Sequence, residues 1–289
     1  LYSSSAASDV YKRQSHGCLC EGWGLAVDGT SGYANNSRGS GGLTLISFDS
    51  TATTAESVVQ IDGTDVTMTH SYQLSASDDL YEAIVTIENT GSTDVSSLEY
   101  RRTMDWDTSP TPFSEYVSIG GTATTTFLAE SSNNGFSDSD PLSNDNNSIG
   151  SSCAADDVDF TACGPDDHGA VFDFLLGSLA AGETYSFSIF YGGASNLDDA
   201  NAALGTVGAE LYSYGWSGTD ADQDGFGDTS GDVTPTFIFA FKGVGGTVVV
   251  PPPTPGPSPI PLPAGAWLML GGLGALAALR RKQSASTAA

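Results

Sequence analysis

Tyr81-Glu-Ala-Ile-Val-Thr-Ile-Glu-Asn-Thr-Gly91 reads as one β-strand and the turn that ends it. Ala83, Val85 and Ile87 alternate with Glu82, Ile84 and Thr86, the two-residue period that sends one set of side chains to a core face. Asn89, Thr90 and Gly91 then supply turn chemistry. The stretch LAAGETYSFSIFYG, 179–192, repeats the pattern, with Tyr185, Phe187, Ile189 and Tyr191 on one face. Leu43–Phe48, Val66–Tyr72 and Leu98–Asp105 are further β-branched or aromatic runs between clusters of Gly, Asn, Asp and Ser. These runs predict an all-β domain, a β-sandwich of antiparallel strands with long loops. One short helix is expected at Asn196–Val207, where Asn196 can cap and Leu197, Ala200, Leu204 and Val207 share a face. Ser131–Ser152 is polar and rich in Asn, Asp and Ser, and reads as a long surface loop.

Composition bounds what such a domain can do. The 289-residue chain carries 9 Lys and Arg against 35 Asp and Glu, a formal net charge of −26. Only Arg38, Arg101, Arg102 and Lys242 lie in the body, so nothing there could neutralise phosphates, and nucleic acid is excluded as a partner. No nucleotide-binding motif is present. Hydrophobic content of 39% and aromatic content of 10% place the body among packed domains. Four cysteines suit an oxidising compartment. Cys153 and Cys163 flank a short polar loop and are expected to pair; Cys18 and Cys20 stand one residue apart. A zinc site from Cys153, Cys163 and His168 is the sharper reading, but its spacing fits no standard pattern, and zinc is not expected.

The chain's end carries an address. Ile260-Pro261-Leu262-Pro263-Ala264 leads into an uncharged run, Ala264–Leu279, followed by Arg280, Arg281 and Lys282. As a helix the run spans about 24 Å at ~1.5 Å per residue, short of a hydrocarbon core of about 30 Å. The basic cluster stops transfer and stays cytoplasmic, which places everything before Ile260 outside. These three ordered features resemble the C-terminal sorting signals of the PEP-CTERM/exosortase type, closest to the VPLPA variety of Gram-negative bacteria, with Ile260 in place of the usual Val. The resemblance covers only the last thirty or so residues. It implies an exosortase-like processing enzyme as partner, a helix held in the inner membrane before processing, and release or anchoring of the body at the cell envelope or outside it. Proteins with this signal are often linked to exopolysaccharide and biofilm matrix.

Other segments follow from composition. Ser4–Gln14 resembles the translation of a transposase-type sequencing-library adapter, so 1–14 is set aside; the authentic sequence is expected to begin near Ser15, with the true N-terminus and any secretory signal peptide missing. Residues 15–249 form the acidic β domain, 250–259 a Pro-rich, semi-rigid linker, 260–282 the sorting segment and 283–289 a cytoplasmic tail. Phrases such as YEAIVTIENTG resemble paired strands of bacterial immunoglobulin-like modules, as a local likeness only.

Three constellations carry chemistry. Asp220, Asp222, Asp224 and Asp228 stand at positions 1, 3, 5 and 9 of a calcium loop, with Gly225 at the turn and the Phe226 carbonyl at position 7. The run resembles the DxDxDGxxD repeats of thrombospondin-type and dockerin-like loops, but Gly231 at position 12 removes the bidentate Glu. Calcium is therefore the expected cofactor, at extracellular-module affinity. Tyr212, Tyr214 and Trp216 would share one side of a strand just before this loop; exposed, they would form a glycan platform for exopolysaccharide, and buried, they are core. Tyr100–Asp107 (YRRTMDWD) places Asp105 and Asp107 on one strand face with Arg101, and Met104 and Trp106 on the other. Two carboxylates about 5 to 9 Å apart could serve glycoside hydrolysis; the bland reading is core plus fixed salt bridges. His70 and His168 sit in no hydrolase motif. The leading expectation is a non-enzymatic exported protein with calcium-dependent exopolysaccharide binding. The alternatives are a carbohydrate-active enzyme using Asp105 and Asp107, or a structural surface-layer or biofilm component.

Overall fold

A computed structural model describes residues 21–35, 39–108, 111–150, 152–217 and 235–249. The chain divides into Leu1–Pro253 and Thr254–Ala289, and every described residue belongs to the first unit. The described residues form mostly antiparallel β-structure in two sheets. The smaller sheet runs, from edge to edge, β2 (Thr30–Asn35), β1 (Glu21–Val27), β7 (Val95–Asp105), β11 (Gly169–Leu179) and β9 (Leu128–Ser132). The larger runs β10 (Phe160–Asp166), β8 (Glu115–Gly120), β13 (Leu211–Trp216), β14 (Thr236–Lys242), β12 (Thr184–Ala194), β6 (Leu80–Asn89), β5 (Val66–Leu74), β4 (Ala55–Ile61) and β3 (Leu43–Ser50). Tyr81–Asn89 lies in β6, paired to β12 with Ala83 opposite Ile189 and Val85 opposite Phe187.

Alternation explains how the layers close. On β14, Phe237, Phe239 and Phe241 face the smaller sheet while Ile238 and Ala240 face the other way. The rings of Phe172 and Phe174 on β11 meet Phe241 at 5.2 and 4.9 Å between centroids, and Tyr100 on β7 meets Phe187 at 5.0 Å. Offset and edge-on ring contacts of this kind fill the space between two sheets. The opposite face of the larger sheet is covered by helix α1 (Leu197–Val207), through Ala200, Ala203, Leu204 and Val207. Asn196 caps it, its side chain accepting from the Asp199 amide at 2.9 Å, as its sequence predicts. Among the described residues no helix is long and apolar enough to cross a membrane.

The outer face of the smaller sheet carries a charge. Arg101 on β7 stands opposite Asp173 on β11, and its Nε and Nη2 donate to the two carboxylate oxygens at 2.6 and 2.7 Å. Both side chains are almost wholly buried. The remaining donors go to the backbone carbonyls of Asp138, Asp140 and Ser143 at 3.0 to 3.1 Å. The polar stretch expected as a surface loop is thereby drawn down onto the sheet. Ser137, Asp138 and Ser139 are buried beside the fork, which organises carbonyls that would otherwise need water, whereas Ser131 and Ser132 are not loop but the end of β9, and Asn133 is held by Ile149 and His168.

Removing that fork leaves the buried Asp173 carboxylate without a counter-charge, held only by the Asn146 amide at 3.0 Å. Arg101→Ala should destabilise the fold by about 3–5 kcal/mol, read as a fall in the urea midpoint, and should expose 133–150 to proteolysis. Arg101→Lys, which restores charge without the fork, should fall between; a midpoint unchanged in Arg101→Ala would contradict this account.

Candidate functional site

Two connections cross between the sheets side by side. One leaves β7 and enters β8; the other leaves β10 and enters β11. Antiparallel register puts Gly169 opposite Asp105 and Asp166 opposite Glu115, and the Trp106 amide donates to the His168 carbonyl at 3.0 Å. Asp105, Asp107 and Asp167 are thereby brought to one place, with a carboxylate oxygen of each within 4.8 Å of the others.

The packing beneath fixes this corner. Trp106, between the two aspartates in sequence, is buried and donates from Nε1 to Ser213 Oγ on β13 at 3.0 Å. Its ring lies against Gly215, where a Cβ would clash with the indole. On the other side the backbones of Gly135 and Gly169 meet. A Cβ on Gly135 would come within 2.9 Å of the Asp105 Cα, so only glycine lets the 133–150 segment close against the corner. Glu115, fully buried at the start of β8, accepts through Oε1 from the amides of Thr108 and Phe113 at 3.0 and 2.8 Å.

The electrostatics follow from burial and crowding. Burial, reinforced by Asp107 and Asp167, pushes the Asp105 carboxyl up to about 7. Glu115 is pushed up to about 8, chiefly by burial, against the backbone amides of Thr108, Phe113 and Glu115 itself, which favour its ionised form. Asp167 is raised by burial and by Asp107 and Asp166. His168, next in sequence, is lowered by burial. Asn133 accepts the Ile149 amide through Oδ1 and meets His168 Nδ1 with its amide nitrogen at 2.6 Å, which leaves the ring hydrogen on Nε2. Such a corner can bind a hard cation or hold protons above the usual carboxylate range.

The other expected sites fall as follows. Tyr214 and Trp216 are buried at 2% and 3% exposure, Tyr212 is half-buried, and the row faces α1. Tyr214 donates to Asn201 Oδ1 of the helix at 3.0 Å. The row is therefore core and offers no flat platform, because the face it shares is the one the helix covers. Cys153 and Cys163 form a disulfide, which engages both thiols the sharper zinc reading would have needed. Arg101 is committed to Asp173 and stands apart from the aspartate cluster. Asp220, Asp222, Asp224, Phe226 and Asp228 of the calcium loop lie outside the described residues. So do Ile260–Ala264, the apolar run after it, and Arg280, Arg281 and Lys282. The sequence singled out Asp105 and Asp107 but not Asp167 or Glu115, whose nearness comes from strand register and a local turn and leaves no periodic signal. No family model matches the chain, and no curated protein matches it.

The pH dependence of stability has a definite sign here. Asp105 and Glu115 hold protons more tightly folded than unfolded, where they titrate near 3.8 and 4.5. Their contribution is full below those values and is lost as pH rises through about 7 and about 8. Buried His70, lowered to about 3 with burial the larger cause, acts oppositely below its ordinary value of 6.5. In chelator, the melting temperature of the wild type should therefore fall, relative to Asp105→Asn/Glu115→Gln, between about pH 5 and about pH 8. Parallel melting curves across that range would refute it.

Proposed function

We propose that this chain is an exported, non-enzymatic component of the cell surface or extracellular matrix. It is sorted through Ile260–Lys282 by an exosortase-like enzyme, and calcium supports its acidic body. The observation that carries the non-enzymatic reading is the burial at the carboxylate corner, where Asp105 and Asp167 are half-buried and Asp107 and Glu115 almost wholly buried. Asp107 is 4% exposed, and the partnerless oxygens of Asp105, Asp167 and Glu115 are shut from solvent. A glycosidic oxygen has to reach the acid that protonates it. With Tyr214 and Trp216 in the core, any contact with exopolysaccharide falls to other surfaces, so a structural role in the layer is favoured over a lectin-like one.

One observation favours the hydrolase alternative. Asp105, pushed up to about 7, stands beside two further carboxylates, the environment-driven separation of roles that glycosidases use. A single experiment separates the readings: the purified full chain is incubated with a panel of bacterial exopolysaccharides, in millimolar calcium and in chelator. No release of reducing ends, with calcium-dependent self-association, is the expected result. Release of reducing ends that Asp105→Asn abolishes would overturn the proposal in favour of the enzyme.

A further inference from the structure

We infer that Asp105, Asp107 and Asp167 bind a calcium ion at the corner where the two crossover connections meet, through residues other than those of the Asp220–Asp228 sequence. The inference rests on the calcium reading above only for the choice of ion. Three carboxylates alone would not carry it, since acidic groups gather on many surfaces without a cation.

The second observation is a set of buried, unsatisfied oxygens on two of the aspartates and on the residues next to the corner. Asp105 Oδ1 and Asp167 Oδ1 are each closed to solvent and accept no hydrogen bond. Glu115 is 0% exposed, and its Oε2 has no partner although its Oε1 is held by two amides. Thr108 is 2% exposed, and its Oγ1 also lacks a partner. Glu115 is tied to the Thr108 amide, one residue beyond Asp107, and the Asp167 charge helps raise its carboxyl. A partnerless buried oxygen costs about 1–3 kcal/mol, and more when charged. A cation among the three aspartates answers the Asp105 and Asp167 oxygens together.

The chemistry selects the ion. Every candidate donor at the corner is oxygen, which suits a hard cation over zinc or copper. His168 keeps its hydrogen on Nε2 in the tautomer that Asn133 imposes, so the nearby ring offers no lone pair. Carboxylate oxygens within 4.8 Å of one another fit around an ion that binds at about 2.3–2.6 Å. Magnesium, at about 2.0–2.1 Å and with a demand for octahedral regularity, needs a tighter set. Asp105 and Asp107 belong to one connection and Asp167 to the other, so the bound ion ties both crossovers, and through them both sheets, at one point.

The test uses the full chain, stripped with chelator and then titrated with calcium chloride. At about 10 mM calcium the wild type should gain on the order of 5 °C in melting temperature. Asp105→Asn/Asp167→Asn should melt no lower than the wild type in chelator, because it removes like charges that repel. It should lose one equivalent of bound calcium and most of the rise. Asp222→Ala/Asp224→Ala, which disables the loop, should keep that equivalent. In this loop-disabled chain, terbium should give emission sensitised through Trp106 and displaced by calcium. That measurement needs no substitution at the corner. Unchanged calcium stoichiometry in Asp105→Asn/Asp167→Asn, or absence of sensitised terbium emission in the loop-disabled chain, would overturn the site. An equal rise with magnesium would overturn the assignment to calcium. Glycan retention plays no part in these readouts, so the site and the surface role fail independently.

Discussion

The ion pair between Arg101 and Asp173 is the constraint around which the smaller sheet is arranged. A charge on a sheet face with no second sheet to cover it would ordinarily sit in water. Here the guanidinium uses its planar fork to hold one carboxylate and three backbone carbonyls at once. Those carbonyls belong to a segment with few apolar side chains, which could not have been fixed by hydrophobic burial. The pair substitutes directed hydrogen bonds for the missing apolar contact. Removing either charge unravels more than a salt bridge, since the segment's own polar groups lose their reason to leave solvent.

Closure of that segment has an effect at its near end. Gly135 comes to rest against Gly169 and the backbone of Asp105, sealing one side of the acidic corner, while Trp106 seals the floor by spanning to Ser213 on the larger sheet. The carboxylates are therefore crowded by the architecture and not by any attraction among themselves. Local electrostatics oppose the arrangement and the surrounding packing enforces it. Conflict of this kind between levels, in an otherwise consistent fold, is where function tends to reside.

The sequence made the all-β class legible through particular strands. Val66–Tyr72, Tyr81–Glu88 and Tyr185–Tyr191 all fall within observed strands, and the Asn196 cap was readable from one residue and the face that follows it. Strand β11 was not, because GAVFDFLLGSL is nearly continuous in apolar residues and buried on both faces, which erases the alternation. Strands β8 and β14 hide for the same reason. Half of the corner was visible as Asp105 and Asp107. Of the other half, Asp167 is far away in sequence and arrives only through the register of two ladders, while Glu115 is brought back by the local turn through Thr108 and Phe113. The aromatic row was legible as a row, but the side that α1 would cover depends on tertiary packing alone.

The described basic side chains are all turned to internal use. Arg101 holds its loop, Arg102 lies between the sheets against Tyr191, Phe239 and Glu21, and the Lys242 ammonium sits on the Val207 carbonyl at the end of α1. With the structural cations consumed within the fold, the charge left to the outside is overwhelmingly of one sign. Such a particle behaves as a polyelectrolyte: it carries a cloud of counterions, and those ions draw water by osmosis. Screening falls off over about 8 Å at physiological ionic strength, so densely gathered copies repel, swell and hold solvent. An assembly of them would respond to ionic strength as a gel does, taking up water when salt is dilute and contracting when it is concentrated.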